Sequence, residues 1–177
     1  MSDPNAVLFE LDGDDFNAVM EATEPGIFPD NTEVNFRFVG FRADKEGKVV
    51  RTYKKFDKDL PYVMFILEPF GNPQGENFKE VDYFVSLPFR PDAGSAEQLK
   101  AASRSSVGYK RIFEAFGLKP TNALSEMLFL GKQAKAIVGV DSDEKYGDRN
   151  TIKKFVMPGQ SPFGGDGTPG EAKTFFA

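Results

Sequence analysis

The stretch KYGDRNTIKKF, residues 145–155, begins as a turn and continues as a short basic strand. Gly147-Asp148 favours a turn, because Gly tolerates positive φ and Asp hydrogen-bonds to its own backbone. The strand period that follows predicts that Lys153 and Phe155 share one face and that Ile152 lies on the other. Cations and aromatic rings presented together bind phosphates and nucleobases, although many solvent-exposed hairpins have the same composition.

The rest of the chain predicts a fold that is mainly β, because several segments alternate apolar and polar residues with a period of two. The predicted elements are strands at 27–43, 48–56, 62–67, 81–89, 133–140 and 151–157, a helix at 96–116 and a helical turn at 122–130. Three strands, a helix and two strands, with 48–56 as an extra strand arm, is the order of a five-stranded OB-fold. This β-barrel has one main helix between its strands 3 and 4.

Three regions are predicted along the chain. Residues 1–24 form an acidic N-terminal arm with one short helix, residues 25–158 form the OB-fold nucleic-acid-binding domain, and residues 159–177 form a flexible Gly/Pro-rich C-terminal tail. Residues 1–30 contain eight acidic and no basic residues, and the net charge of the chain is -5. This charge argues against a large basic face for duplex DNA but is compatible with a narrow basic groove.

The composition excludes several kinds of chemistry. The chain has no Cys and no His, which removes disulfides, thiol nucleophiles, histidine bases and the zinc sites that use these residues. Asp92, Glu97 and Lys100 faintly suggest a metal-dependent nuclease, but the acid and the Lys lie three residues apart at a helix start instead of two apart on a strand. We therefore predict a protein that is not an enzyme and uses no cofactor or metal.

The chain also lacks the patterns of membrane insertion and export. No window approaches eighteen consecutive apolar residues, and the N-terminus is acidic instead of basic and then apolar. We therefore expect no membrane contact and a cytoplasmic location.

Several cations and aromatic residues fall where an OB barrel binds an oligonucleotide, on the face of its strands 2 and 3 and in the loops beside it. Phe84 has polar neighbours on its face of the strand, which predicts an exposed ring suited to base stacking. The candidate nucleic-acid-binding residues are Arg37, Arg51, Tyr53, Lys54, Lys55, Phe84, Tyr146, Arg149, Lys153 and Phe155.

Short pieces of residues 24–158 resemble a family of small phage-encoded single-stranded-DNA-binding proteins. These pieces are Pro25–Pro29, Phe113–Leu118, Gly131-Lys132, Lys145–Asn150, Ile152 and Phe155–Pro158. The resemblance implies an OB-fold protein that coats and protects exposed single strands during phage replication and recombination in the host cytoplasm, without catalysis or metal. The matching motif makes Tyr146, Arg149 and Lys153 the implied contact residues.

The C-terminal tail departs from the pattern of this family. Proteins of this kind often end in a strongly acidic tail with a terminal aromatic residue, so the resemblance implies replication or recombination proteins as partners of the tail. Here Phe175-Phe176 keeps the aromatic ending, but the tail has only Asp166 and Glu171 against Lys173. The acidity of this chain lies at its N-terminus instead.

A second hypothesis is an OB-like protein-interaction or virion-associated subunit that binds no nucleic acid. Its signature would be an exposed apolar patch on the barrel, for which Phe41, Phe65, Phe70 and Phe89 are the candidates. The sequence does not separate DNA from RNA, because nothing in it reports on the 2′-hydroxyl. It also leaves the oligomeric state open.

Overall fold

The computed structural model describes residues 6–159 of the chain. The fold is mainly β, as predicted. In chain order the elements are α1 (Gly13–Glu21), β1 (Thr32–Phe41), β2 (Arg51–Lys55), β3 (Lys58–Pro69), β4 (Val81–Ser86), α2 (Ala96–Ala115), α3 (Glu126–Phe129), β5 (Gln133–Asp143) and β6 (Gly147–Val156).

The six strands form one antiparallel sheet in which β3 has the most neighbours. Tyr62 of β3 pairs with Arg51 of β2 on one edge and with Ser86 of β4 on the other. Residues 65–69 of β3 pair with β1. This pairing lies along the same edge of β3 as the pairing with β2. When β2 is set aside, the strand order is therefore β4-β3-β1-β5-β6, with α2 connecting β4 to β5.

The two ends of this path, β4 and β6, approach each other because the sheet is strongly curved. The rings of Tyr83 on β4 and Phe155 on β6 lie 5.0 Å apart in an edge-to-face contact. Phe116, directly after α2, has its ring 6.1 Å from that of Phe155. Aromatic side chains thus fill the space where β4, β6 and the end of α2 meet.

The segment before β1 joins the loop that precedes β4 to β6. Gly26 forms a parallel bridge with Phe78, and the rings of Phe28 and Phe78 stack at 3.8 Å. The side-chain amide of Asn150 accepts a hydrogen bond from the Phe28 N–H (2.7 Å) and donates one to its carbonyl (2.8 Å). Phe28 is consequently 1% exposed, and the segment is part of the domain.

The interior is dominated by phenylalanine, and its members come from both the sheet and the helices. The most buried of these rings make edge-to-face or tilted contacts at 5.0–6.5 Å, the geometry that aromatic pairs prefer. The core rings with 4% exposure or less are Phe28, Phe36, Phe38, Phe65, Phe113, Phe116 and Phe129.

The face prediction for β6 is wrong, and a β-bulge explains the error. Ile137 of β5 pairs with Lys154 and Val138 pairs with Ile152, so Lys153 is an extra residue in β6. An extra residue shifts the alternation by one position. As a result Ile152 and Phe155 both pack against the core instead of lying on opposite faces.

The turn in this hairpin is also displaced from its predicted position. It occupies residues 144–146, where the carboxylate of Asp143 accepts hydrogen bonds from the N–H groups of Lys145 (2.8 Å) and Tyr146 (3.0 Å). Gly147, with φ of 73°, already begins β6. The basic stretch is therefore mostly strand.

The strand predicted at 62–67 is longer than expected. A two-residue turn at Phe56 and Asp57, with φ of 56° and 55°, leads directly into β3 at Lys58, so Pro61 does not interrupt the strand. Tyr62 in this strand is partly exposed, so the face of β3 that carries it is only partly covered. The strands predicted at 27–43 and 48–56 are conversely shorter, as β1 and β2.

Helix α2 begins after its N-cap, Ser95, whose hydroxyl accepts a hydrogen bond from the Gln98 N–H (3.3 Å). The apolar residues Leu99 and Val107 of this helix do not face the core and are 63% and 42% exposed. Gln98 and Ser105 are buried instead, and both are hydrogen-bonded. Gln98 bonds to Asp92 in the loop before the helix, and Ser105 bonds to Ser86 at the end of β4.

The acidic arm packs against little of the domain. Its helix α1 buries no residue and is capped by the carboxylate of Asp12, which accepts a hydrogen bond from the Asp15 N–H (2.8 Å). The predicted flexible tail lies outside the described residues beyond position 159, as do residues 1–5. Within residues 6–159, no helix has both the length and the apolar character needed to cross a membrane.

Candidate nucleic-acid interface

A partly exposed group of aromatic rings lies on the outer face of β2, β3 and β4. Because Val63 and Phe65 point into the core, the alternation of β3 places Tyr62 on the opposite face. Its ring lies 4.7 Å from that of Phe84 and 5.9 Å from that of Tyr53, and the latter two rings are 5.6 Å apart. Phe84 is 44% exposed, as predicted. We call Tyr53, Tyr62 and Phe84 the outer aromatic patch.

Arg51 lies against this patch. The centre of its guanidinium is 5.1 Å from the centre of the Tyr62 ring, a cation–π distance. Its Nε is buried and has no hydrogen-bond partner among the described residues. The pKa of Asp44 is lowered, first by the Lys48 N–H that donates to its carboxylate and further by the charge of Arg51. The guanidinium of Arg51 is therefore placed by an aromatic face beside the patch.

Two further cations stand near the patch. Lys55 of β2 and Arg104 of α2 line a cleft between β4 and α2, whose walls include Tyr53 and Phe84. Within residues 6–159, Arg51, Lys55 and Arg104 form no ion pair. No carboxylate of this part of the chain lies within ion-pairing distance of the three cations, although Asp44 is close enough to Arg51 for the two charges to interact.

Phe84 also borders a wider cleft, of about 790 Å³, that extends toward β6. Arg42 lies in this cleft, and its guanidinium donates to Asp82 (2.8 Å) and Glu80 (2.5 Å). These bonds, with Asp82 the larger cause, raise the pKa of Arg42 further above its ordinary range. Because two carboxylates surround this cation, it adds little net positive charge to the cleft.

The structure brings Arg149 to the same wider cleft but leaves Tyr146 apart. The guanidinium of Arg149 is 3.1 Å from Asp141 on the neighbouring strand, and its side chain is 63% exposed. Tyr146 is at the hairpin tip, 73% exposed, with the ammonium of Lys145 5.0 Å from its ring centre. Tyr146 makes no ring contact with the outer aromatic patch among the described residues.

Two of the predicted cations are engaged elsewhere. Arg37 donates to Glu68 at 2.6 Å, and its guanidinium lies 4.4 Å from the ring centre of Phe70. Lys54 lies on the opposite face of β2 from the patch and pairs with Asp59 at 3.1 Å. Arg37 is thus at the far end of the outer face, and Lys54 is not on it.

Lys153 is held by groups that precede β1. Its ammonium lies 2.9 Å from Asp30 and donates to the side chain of Asn31 (2.8 Å). The pKa of Asp30 is lowered, first by this hydrogen bond from Lys153 and then by the N–H of Val140. The Lys153 stem crosses Gly139, where a Cβ would come within 2.6 Å of Cε. This arrangement fastens β6 to the start of β1.

Phe155 does not offer a free ring to a ligand. Its ring packs on Tyr83 and Phe116, and it belongs to the residues that pack against the core. Of the ten predicted residues, the structure gathers Arg51, Tyr53, Lys55 and Phe84 around one patch and places Arg149 in the adjoining cleft.

Tyr62, Arg42 and Arg104 belong to this surface and were not among the predicted residues. Tyr62 begins the apolar run at residues 62–67, in which Val63 and Phe65 are buried. The period of two places Tyr62 on the opposite face, and this was the available signal. Arg104 comes from α2, and no local pattern predicts which side of that helix meets β4. Only the tertiary packing reveals it.

Three of the four candidates for the apolar patch of the second hypothesis pack against other groups, whereas Phe89 is partly exposed. Phe65 is fully buried, and Phe41 packs on it with ring centres 5.2 Å apart. Phe70 lies beneath the guanidinium of Arg37.

The surface is therefore built from exposed rings beside unpaired cations, bordered by a cleft of mixed charge. Comparison of the chain with protein-family models and with curated protein sequences finds no significant match to either.

Proposed function

We propose that this protein binds single-stranded DNA, largely independently of sequence, and takes no part in catalysis. The observation that carries the proposal is the outer aromatic patch together with Arg51, Lys55 and Arg104, which have no carboxylate partner among the described residues. Exposed rings stack on the faces of bases, and cations neutralise the phosphates between them. Only an unpaired strand offers base faces to such a surface.

The strand order supports the proposal that the domain is an OB-fold. With β2 set aside as an arm, β1, β3 and β4 precede α2, and β5 and β6 follow it. In an OB barrel the second and third strands carry the oligonucleotide-binding face. These correspond to β3 and β4, which carry Tyr62 and Phe84.

The biological role that fits this chemistry is the coating and protection of exposed single strands. The resemblance to the phage-encoded family suggests replication and recombination in the host cytoplasm as the setting. Partner recruitment through the tail remains a prediction, since residues 160–177 lie outside the described range.

The expected energetics are those of stacking and counterion release. Each stacked base contributes about 1–3 kcal/mol. Each neutralised phosphate adds about 0.7 to the slope of log affinity against log salt for a single strand. Three unpaired cations therefore predict a slope of about 2 from this surface, and the partly paired Arg149 would add to it.

The test is a fluorescence-anisotropy titration of the full chain with a labelled single strand and with its duplex, repeated over a series of salt concentrations. We expect clear preference for the single strand and an affinity that falls as salt rises. Equal affinity for the two forms, or no binding to either, would refute the proposal. A labelled RNA of the same sequence, titrated in parallel, measures the preference between DNA and RNA.

A further inference from the structure

We propose that the cleft between β4 and α2 is a subsite for one base of the bound strand, which leaves the stacked run and enters the cleft. This inference rests on the proposed function and assigns a separate role to a part of the surface that stacking alone does not use. The cleft is lined in part by Tyr53, Phe84, Ser86, Arg104, Ser105 and Gly108.

The cleft exists because α2 presents small residues to β4. Ala101, Ser105 and Gly108 are four and then three positions apart, so they lie on one face of the helix. A Cβ placed on Gly108 would meet no atom within 4 Å, so the space beside this position is open. Larger residues on this face would fill the space between helix and strand.

The size of the cleft suits a single ring system. Its volume is about 240 Å³, whereas pockets for drug-sized ligands begin at roughly 300 Å³. The cleft is open to solvent, so the backbone of a strand can stay outside it. One base, with its sugar and phosphate left outside, is the part of a strand that matches it.

The walls and the floor have the chemistry of a base site. Tyr53 and Phe84 belong both to the cleft and to the outer aromatic patch, so a strand lying on the patch passes the cleft opening. At the floor the hydroxyl oxygens of Ser86 and Ser105 are 2.8 Å apart, and the Tyr53 hydroxyl is 3.5 Å from that of Ser86. Hydroxyl groups both donate and accept hydrogen bonds, so they adapt to the edges of different bases.

The charges at the cleft fit the backbone on either side of such a base. Arg104 and Lys55 line the cleft, are exposed and form no ion pair within residues 6–159. A base that enters the cleft brings its neighbouring phosphates close to these cations. The site therefore requires a continuous strand as its ligand.

The experiment fills the cleft from the helix side with Gly108→Leu in the full chain. Leu favours a helix more than Gly does, by about 0.5–1 kcal/mol, so the variant is expected to fold. Ser106→Leu is the matched control, because it adds the same side chain at an exposed position of α2 outside the cleft. Ala101→Leu fills the cleft about two turns earlier in α2 and replaces the first variant if Gly108→Leu lowers the melting temperature.

Each protein is titrated with an oligothymidylate and with an abasic oligodeoxyribose phosphate of equal length. We expect Gly108→Leu to weaken binding of the oligothymidylate by about 5- to 150-fold, the range for one lost base contact. It should leave binding of the abasic strand unchanged, and Ser106→Leu should change neither.

The two proposals fail in different ways. If the unmodified protein binds the oligothymidylate and the cleft-filling variants bind it equally well, the base subsite is refuted and the proposed function stands. Equal weakening on the two strands also refutes the subsite, because the loss then does not depend on a base. If the unmodified protein binds no single strand, the proposed function is refuted and this inference with it.

Discussion

The molecule contains two groups of aromatic rings that share a strand and differ in their surroundings. On β3, Phe65 points inward to the ring of Phe38 at 5.1 Å, and Tyr62 points outward to the ring of Phe84 at 4.7 Å. The inner rings are surrounded by apolar groups and excluded from water, whereas Phe84 is 44% exposed and has cations nearby. Ring spacing is similar in the two groups. Burial and neighbouring charge distinguish the group that stabilises the fold from the group that we propose binds DNA.

The largest expected effect comes from removing an inner ring. Phe65→Ala leaves a cavity in the core and should lower the free energy of unfolding by about 3–5 kcal/mol, a large part of the stability of a domain. Urea denaturation followed by circular dichroism measures the change. Phe84→Ala is the matched control and should lose about 1 kcal/mol or less, as exposed substitutions do. Equal losses in the two variants would contradict the division into inner and outer rings.

The second effect concerns DNA affinity, for which we expect the outer ring of Phe84 to be the important one. Phe84→Ala removes a stacking surface and should weaken single-strand binding by about 1–3 kcal/mol at every salt concentration. Anisotropy titration measures this change. Phe84→Tyr keeps the ring and serves as the control, with affinity close to that of the original protein. An unchanged affinity of the Ala variant would place the stacking surface elsewhere.

A smaller effect separates the cations beside the patch from those away from it. Arg51→Met removes one unpaired charge and should lower the salt slope by about 0.7. Lys54→Met is the control, since Lys54 lies on the other face of β2 and pairs with Asp59. If Arg51→Met and Lys54→Met lower the salt slope equally, the bound DNA does not distinguish the two faces of β2.

The smallest effect concerns Lys153, which the fold uses to hold Asp30. The pKa of Asp30 is below its ordinary value of 3.8, so its charged form stabilises the folded state. This contribution is present above the unfolded pKa and is lost as the pH falls through the lower folded pKa. Lys153→Met removes the largest cause of the shift, so unfolding stability should vary less with pH below about 4.

The measurement is the urea midpoint of each protein between about pH 2 and 7. DNA affinity at neutral pH should change less in Lys153→Met than in Arg51→Met. A larger loss of DNA affinity in Lys153→Met would return this residue to the interface, as the sequence predicted.

The sequence predicts the outer ring of β4 because alternation is a local property. Val81 and Val85 are buried and Phe84 is exposed, as their spacing requires. The same reasoning fails in β6, where the bulge at Lys153 arises from pairing with β5 and leaves no signature in the local pattern. The register of β4 with β3 is regular, whereas pairing with β5 gives β6 an extra residue.

The remaining errors also have non-local causes. Tyr62 belongs to the proposed interface because the outer face of β3 is only partly covered, and this coverage is set by tertiary packing. Arg104 reaches the cleft because α2 turns its small residues toward β4. The order of elements was therefore predictable, and the membership of the site depended on tertiary contacts that a single sequence does not specify.

The most direct test of the proposed interface is photocross-linking of a single strand that carries iodouracil, with the linked peptides identified by mass spectrometry. A base stacked on an aromatic ring is positioned to cross-link to it. We expect cross-links at Tyr53, Tyr62 and Phe84, and their loss at high salt as the strand dissociates. Cross-links confined to other surfaces, such as the face that carries Lys54, would contradict the assignment of the outer aromatic patch as the DNA-binding site.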